Sequence, residues 1–206
     1  KAGAVEAVLF SRPLDTFRSE IWALGSDGKP YRLNLPERVA VQGVLGDKLI
    51  FSPEQAWSFD GQDYAAGSLV AMPMGVLGDV RQSIRIDAKT ATIFAPGARQ
   101  SLQDVRVFED SIVAVIADNV VGTLKRFTPG VGGWTAADIP VSANSAVGLG
   151  DSSKAKGQVF VSTQGFLTPP TLSLADVATA ALTELKSAPA KFDASTHVVE
   201  QFEATS

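Results

Sequence analysis

Short runs of β-forming residues, each followed by turn residues, recur along the whole chain and constrain its fold more than any other feature. Tyr31–Leu35 alternates between apolar and polar residues, which predicts a strand with one buried face. Ile112–Ala117 is apolar throughout, which predicts a strand buried on both faces. The link Gly25–Pro30 contains Asp-Gly, a pair that readily adopts the positive φ angles of a tight hairpin turn. We therefore predict an all-β fold.

The predicted strands recur in groups with a coarse period. They include Val5–Phe10, Glu20–Leu24, Val39–Leu45, Leu49–Phe51, Ser68–Met72, Ala91–Phe94, Asp104–Phe108, Val121–Phe127, Gln158–Ser162, Thr171–Leu174, Leu182–Leu185 and Val198–Glu203. The strands that would lie outermost centre near Leu33, Ile93, Ile139 and Leu185, at spacings of 60, 46 and 46 residues. Propeller blades of four strands repeat at about 40–45 residues, so we predict a β-propeller fragment of about four blades of four-stranded antiparallel sheets. A β-sandwich is the alternative, because its short strands are also evenly spaced.

The stretch 174–185 fits two structures. Its apolar residues fall at helical spacing and it is rich in alanine, which favours a helix. The competing prediction is a hairpin in which Thr171–Leu174 pairs with Leu182–Leu185 around a turn at Asp176–Ala181. The preceding Thr168–Pro170 suits an extended entry, because a residue before proline avoids the helical region.

Composition excludes several classes of protein. The 206 residues are 45% hydrophobic with a net charge of −4, which provides a core and excludes a disordered chain. Scattered charges give no basic patch for nucleic acid or an anionic membrane, and no apolar run approaches the ~18 residues of a membrane span. The absence of cysteine excludes disulfides, thiol nucleophiles and thiolate metal sites. Because the sequence begins at Lys1 and not at methionine, we expect a piece of a longer protein, and both a cytoplasmic and a periplasmic location stay open. No signal-peptide pattern opens the sequence.

The sequence lacks the nucleophile motif of an α/β-hydrolase. Such an enzyme exposes its serine on a strained turn in Gly-x-Ser-x-Gly, whereas Gly150–Lys154 has lysine in place of the second glycine. His197 is the single histidine, and it lies in a segment that we predict to be stranded. With no companion residue that indicates catalysis, we expect His197 to have a structural role. We predict no catalytic residue in this chain.

Glycine-rich stretches indicate loops and not phosphate sites. A phosphate loop needs a helix N-terminus directed at the anion, and neither Gly130–Gly133 nor Gly148–Gly150 opens a helix. We expect both to connect strands, the first with Trp134 packed beside its turn. Ser142–Gly157 is rich in serine, glycine, alanine and lysine, and is expected to be a surface loop.

The acidic pairs indicate solvated positions. Glu109 and Asp110, followed by Ser111, fit a tight turn between two strands. Glu200 and Glu203 are three residues apart, so on a strand they would lie on opposite faces. Neither pair is suited to acid–base catalysis, and we predict neither a cofactor nor a metal site.

The C-terminal third contains short motifs in a fixed order. They are Phe166–Leu172, Leu185–Lys186, Pro189, Phe192–Asp193 and Val199–Ser206, with looser matches at Gly67–Ala71, Asp118–Gly122 and Trp134. This set resembles the prolyl oligopeptidase family, in which the corresponding segment closes the β-propeller and leads into the catalytic α/β-hydrolase domain. The likeness covers residues 30–206 and is dense over the last forty.

The resemblance implies a domain organisation. Residues 1–206 would form one partial domain, the second half of a seven-bladed propeller, without the hydrolase domain on which the family carries its serine, aspartate and histidine. It also implies strand, turn and strand over 171–185, and so favours the hairpin. Two departures concern that hairpin, since Ser173 stands where an aromatic residue is common and Ala180 where a glycine often makes the turn.

The resemblance also implies a function. The intact protein would be a serine peptidase that cleaves short peptides after proline, and this chain would be its inert, substrate-gating part. The implied partners are its own hydrolase domain and peptide substrates. Open sheet edges would allow a second copy to pair, because unpaired edges favour association between chains. The alternative function is a stand-alone β-propeller that binds or scaffolds other molecules without peptidase activity.

Overall fold

The structure, a computed structural model, describes residues 8–25, 27–59, 61–73 and 90–202. Within these ranges the regular secondary structure consists of β-strands alone. The strands are β1 (Leu9–Pro13), β2 (Ser19–Leu24), β3 (Pro30–Arg32), β4 (Val39–Leu45), β5 (Lys48–Pro53), β6 (Trp57–Phe59), β7 (Gln62–Tyr64), β8 (Leu69–Pro73), β9 (Ala91–Phe94), β10 (Gln100–Val107), β11 (Ile112–Asp118), β12 (Val121–Gly130), β13 (Gly133–Ile139), β14 (Ser145–Ser153), β15 (Gln158–Gly165), β16 (Thr171–Asp176) and β17 (Ala181–Ser187). The all-β prediction is confirmed. Part of the predicted strand Val5–Phe10 lies outside the described residues.

The strands form four main sheets whose order follows the chain. Sheet I is β1-β2-β3, sheet II is β4-β5-β8-β9, sheet III is β10-β11-β12-β13 and sheet IV is β14-β15-β16-β17. A short hairpin, β6-β7, is inserted between the second and third strands of sheet II. Each described sheet runs antiparallel from one edge to the other and does not close on itself. This meander is typical of propeller blades, whereas most β-sandwiches need Greek-key connections.

The predicted outermost strands lie at sheet edges. Ile93, Ile139 and Leu185 belong to β9, β13 and β17, and Leu33 directly follows β3. The first predicted spacing is longer than the others because it includes the hairpin β6-β7, which only sheet II has among the described sheets. The coarse period of the sequence therefore located the edge of each sheet.

The chain divides into two compact units. Unit 1 comprises Lys1–Ala98, Val107–Ser111 and Pro129–Trp134. Unit 2 comprises Arg99–Arg106, Ile112–Thr128 and Thr135–Ser206.

In unit 1, sheets I and II contribute to one hydrophobic core. Its buried members are Ile21, Ala23, Leu33, Leu35, Leu49, Phe51, Tyr64 and Val70. The inserted hairpin adds an aromatic cluster, in which the ring of Trp57 lies 5.7 Å from Phe51, 5.0 Å from Phe59 and 5.1 Å from Tyr64. Such ring pairs contribute beyond the area that they bury, so the insertion is packed onto sheet II.

In unit 2, the second strands of the two sheets are buried differently. In β11 the residues from Ile112 to Ile116 are all at most 1% exposed, which confirms the prediction of a strand buried on both faces. In β15 burial alternates, with Val159 and Val161 fully buried and Phe160 exposed. One face of sheet IV is therefore open to solvent.

The stretch 174–185 is a hairpin, as the family resemblance implies. β16 pairs with β17 around a turn closed by Asp176, whose carboxylate accepts hydrogen bonds from the Thr179 amide (2.9 Å) and hydroxyl (2.8 Å). These hydrogen bonds, the amide bond first, hold the pKa of Asp176 below its ordinary value. Ala180, which stands where the family often has glycine, has a φ of 57°. A side chain in this region is strained, so alanine destabilises this turn.

The predicted surface loop Ser142–Gly157 is wrong. Most of it is strand β14, and turns are confined to Ala143–Asn144 and Lys154–Gly157. The glycines that suggested a loop instead allow close packing, because a Cβ at Gly148 would lie 3.0 Å from the Ser162 hydroxyl and one at Gly150 would lie 3.1 Å from Phe160 Cβ. The prediction that Gly148–Gly150 connects strands is wrong for the same reason.

The predicted strand Val198–Glu203 is also wrong as far as the structure describes it. Residues 198–202 form no strand, and Glu203 lies outside the described residues.

Candidate functional site

Connections from sheets III and IV meet at one end of unit 2. Each sheet joins its second strand to its third there, through Val120 between β11 and β12 and through Phe166 between β15 and β16. Asn144, which leads into β14, lies at the same end. Asn119 and Asn144 have φ angles of 55° and 52°, a region that asparagine tolerates better than most residues. The two turns can therefore form without glycine.

A groove of about 620 Å³ lies between these connections. Its lining residues are Val120, Val121, Asn144, Ala146, Gln164, Gly165, Phe166, Val199, Glu200 and Gln201, and we call it the end groove. Glu200 is the one charged residue among them, and three others carry side-chain amides. The end groove is therefore mainly apolar, with amide groups and a single carboxylate.

Two glycines set the shape of the end groove. A Cβ at Gly122 would lie 2.8 Å from Val147 Cγ2 and 2.9 Å from the Val147 backbone nitrogen, so β12 and β14 approach closely below the groove. A Cβ at Gly165 would lie 3.0 Å from the Asn144 carbonyl oxygen. A larger residue at Gly122 would force β12 and β14 apart, and one at Gly165 would disturb the pairing of β14 with β15 inside sheet IV.

The C-terminal segment reaches the end groove through a short folded turn. It leaves sheet IV with a hydrogen bond from the Ala188 amide to the Pro170 carbonyl (2.9 Å). The Asp193 carboxylate then accepts a hydrogen bond from the Ser195 amide (2.9 Å), which lowers the pKa of Asp193. Residues 199–201 follow and line the groove.

Large apolar side chains surround the end groove and lie open to solvent. Val120 is 76% exposed, Phe166 85%, Val198 80% and Phe202 83%. Isolated exposed apolar residues are ordinary, whereas a cluster of them offers a surface for apolar contact. The end groove therefore offers apolar contact and a few hydrogen-bonding amides.

The serine of the incomplete Gly-x-Ser-x-Gly stretch, the single histidine and the acidic pair at 109–110 are parts of the local fold. Ser152 belongs to β14. The His197 ring packs edge-on against Phe192 with ring centroids 5.5 Å apart, and its Nδ1 lies 3.4 Å from the Thr196 hydroxyl. Glu109 and Asp110 form the predicted turn, in which the Phe108 amide donates to the Ser111 carbonyl (2.8 Å).

The structure also shows where the remaining predicted turn and acidic residue lie. Gly130–Gly133 joins β12 to β13, with a φ of 123° at Gly133. Glu200 lines the end groove and is not part of a strand, so its expected place on a strand face is wrong. Across the described ranges no three histidine, aspartate or glutamate side chains are placed to hold a metal ion, and no helix is long and apolar enough to cross a bilayer.

The end groove was missed by analysis of the sequence. Its signal was present at two connections, where an apolar residue occupies a position that turns usually give to polar residues: Val120 after Asn119 and Phe166 after Gly165. Periodicity cannot show that these two connections lie side by side.

The chain is similar to peptidases over nearly its whole length. It is 30% identical to an uncharacterized peptidase of Sinorhizobium fredii over 95% of this chain and 27% of that protein. It superposes on the structure of a post-proline cleaving enzyme from Rickettsia typhi with a TM-score of 0.79 and 24% identity, over 97% of this chain and 29% of that one. A prolyl endopeptidase structure gives a TM-score of 0.62 and 17% identity over 92% of this chain and 26% of that one. No family profile matches the sequence.

These similarities define the fold of the chain. The meandering four-stranded sheets are propeller blades, because the matching structures have the same arrangement over this length. The propeller prediction is therefore confirmed and the β-sandwich alternative is wrong. The chain is similar to peptidases and shares its fold with a post-proline cleaving enzyme and a prolyl endopeptidase, and it spans less than a third of the length of the relatives that it matches.

Proposed function

We propose that this chain is the propeller part of a serine peptidase that cleaves short peptides after proline. The observation that carries the proposal is the 30% identity to a peptidase over 95% of the chain. The post-proline specificity is that of the enzyme from Rickettsia typhi, whose fold the chain shares. The serine, aspartate and histidine of an acyl-enzyme mechanism would lie in the remaining part of the protein.

The role of this chain in the parent is to restrict access to the catalytic site, and the chain alone is inert. Supporting this, Ser152, the serine of the incomplete nucleophile motif, lies in strand β14, and the ring of His197 packs against Phe192. A rigid meander of sheets excludes folded substrates by its bulk, whereas short peptides pass.

The end groove is the surface on which the catalytic part of the same protein docks. Residues 199–201 line the groove, so chain that follows them in a longer protein starts beside this surface. The exposed Val120 and Phe166 provide an apolar contact, and Glu200 favours a basic side chain opposite it.

Two measurements test the proposal that this chain is part of a longer peptidase: the coding sequence and the peptidase activity of the longer protein. We expect the reading frame to continue beyond Ser206 into Gly-x-Ser-x-Gly, followed by an aspartate and a histidine. The longer protein should hydrolyse a fluorogenic peptide with proline before the reporter, and the 206-residue chain should not. A stop codon directly after Ser206 would overturn the proposal and leave a stand-alone binding module.

Docking is tested by Phe166→Ser and Val120→Ser in the longer protein. We expect both variants to lower its melting temperature and its activity, while changing the stability of the 206-residue chain by no more than about 0.5 kcal/mol, as for surface substitutions. Val131→Ser is the matched control, because Val131 is fully exposed in the β12-β13 turn. Equal effects of all three variants would contradict docking at the end groove without affecting the proposed activity.

Self-association through open sheet edges stays a proposal. β17 is the outer edge of sheet IV, and Glu184 and Lys186 place charges along it. Charged residues on an edge weaken pairing between chains, so any dimer should be weak. Sedimentation of the chain over a hundredfold range of concentration tests this: an average mass that rises with concentration supports association, and a constant monomer mass contradicts it.

A further inference from the structure

Two arginines of sheet III join it to sheet IV by hydrogen bonds to backbone carbonyls. Arg106 lies on β10, the first strand of sheet III, and Arg126 lies on β12, the third. Both belong to unit 2, and so do the carbonyl groups that they contact. The contact surface between the two sheets, which we call the seam, is thus held at two separate places.

The contacts of Arg106 use its whole guanidinium group. Nε donates to the Gly150 carbonyl (3.2 Å) and Nη2 to the Leu149 carbonyl (3.2 Å), while Nη1 donates to its neighbour Asp104 and to the Val105 carbonyl (2.9 Å). The pairing of β14 with β15 is interrupted just after Leu149, where the register shifts. Arg106 therefore binds carbonyl groups at an irregularity of sheet IV, and Asp104 balances its charge.

The contacts of Arg126 are incomplete. Nη1 donates to the Ala178 carbonyl (2.8 Å), in the turn between β16 and β17. Nε is buried and has no hydrogen-bond partner. A buried, unpaired N–H group of a charged side chain carries a desolvation cost, which water would remove if the seam opened at this place.

The turn that Arg126 holds is itself strained. It contains Ala180, at a φ of 57°. Its remaining ties are the hydrogen bonds within the turn and one from the Val177 amide to the Gly157 carbonyl (2.8 Å). The Val177 side chain is 2% exposed, and Arg126 also attracts the Asp176 carboxylate at the start of the turn. The turn therefore has one hydrogen bond to the seam, from Arg126, where Arg106 makes two.

We propose that the seam has a fixed point at Arg106 and a releasable latch at Arg126. Sheet IV opens from sheet III first at the turn Val177–Ala180, and Arg106 keeps the sheets together during that motion. The latch has one hydrogen bond across the seam and one unpaired donor, so it opens more readily than the contacts of Arg106. The fixed point has all three guanidinium nitrogens paired and opens only when the sheets unfold. This local opening is a property of the chain itself and does not depend on the peptidase activity of a longer protein.

Hydrogen exchange on the 206-residue chain tests the proposal. In Arg126→Met, which keeps the apolar stem, we expect the amides of Val177 and Thr179 to exchange about tenfold faster, the loss expected for one hydrogen bond to a charged group. The midpoint of urea unfolding should fall less than in Arg106→Met, because Arg126 donates one hydrogen bond across the seam and Arg106 donates two. Arg106→Met should lower the urea midpoint more and should also speed exchange across β14.

Lys125→Met is the matched control. Lys125 is the neighbour of Arg126 on β12, and it pairs with Asp138 inside sheet III and not across the seam. Its loss should leave exchange at Val177 and Thr179 unchanged. The proposal is overturned if Arg126→Met leaves exchange at this turn unchanged, or if it lowers the urea midpoint as much as Arg106→Met does. If Arg106→Met does not fold, Arg106→Lys, which keeps one charge and fewer donors, replaces it in this comparison.

Discussion

Sheets III and IV have the same strand order, yet their second strands differ in burial and in sequence. β11 is continuously apolar and buried on both faces, whereas β15 alternates and leaves Phe160 on an open face. The difference shows that hydrophobic pattern reports what lies on each side of a strand, not only that a strand is present. A sheet of the same topology can therefore be an interior layer or a surface layer, according to the residues in its second strand.

The largest expected effect is on the interior strand. Ile116→Ala in β11 should lower the free energy of unfolding by about 3 kcal/mol, because it leaves a cavity where no solvent can enter. Leu172→Ala in β16, a position 40% exposed on the open face of sheet IV, should cost no more than about 1 kcal/mol. Urea unfolding followed by circular dichroism measures both. Similar losses in the two variants would show that the open face is covered in solution.

The second effect concerns the close approach of β12 and β14. Gly122→Ala should destabilise by about 2 kcal/mol, because its methyl group would collide with Val147 and its backbone. Gly132→Ala is the control, since no atom lies within 4 Å of the position of its Cβ. The melting temperatures of the two variants test this expectation. An unchanged melting temperature in Gly122→Ala would mean that β12 and β14 move apart without loss of stability.

The third effect is a gain in stability. Ala180→Gly should raise the free energy of unfolding by about 1 kcal/mol, because glycine adopts a φ of 57° without strain. Asn119→Gly, in the β11-β12 turn of sheet III, is the comparison, because Asn119 has a similar φ of 55°. It should change stability less, because asparagine tolerates the left-handed region better than alanine does. If Ala180→Gly is not more stable in a thermal melt, the turn of sheet IV is not strained.

The smallest effect depends on pH. The folded pKa of Asp176 lies below its ordinary value of 3.8, so its contribution to stability is present above that value and is lost as the pH falls through the folded pKa. Asp176→Asn keeps the turn but does not titrate. The melting temperature of the parent chain should therefore exceed that of Asp176→Asn at pH 7, and the difference should shrink below about pH 4. A difference that is constant from pH 7 to pH 3 contradicts this assignment.

Most of the fold could be predicted from the sequence, because strand patterns and turn residues are local. Asp-Gly predicted the β2-β3 hairpin, where Gly28 has a φ of 74°. The surface-loop prediction for Ser142–Gly157 failed because small residues serve two purposes: they form loops, and they also let backbones approach, as Gly148 and Gly150 do in β14. The sequence pattern does not distinguish these uses.

The candidate site could not be predicted from the pattern of the sequence. Val120 and Phe166 lie in turns of different sheets, and only the packing of those sheets brings them to one groove. The segment that completes the groove was predicted as a strand from its alternation. Local rules find the strands, whereas the site depends on contacts between parts of the chain that are distant in sequence.

The meander of each sheet has a consequence for how the chain is made. Nearly every strand pairs with the one synthesised just before it, the insertion between β5 and β8 being the exception within the described sheets. A ribosome takes seconds to add the residues of one sheet, whereas a hairpin forms in about 1–10 μs. Each sheet can therefore form before the next has been translated, and the interior strand β11 must wait for β14 to emerge before the face that it turns to sheet IV is covered.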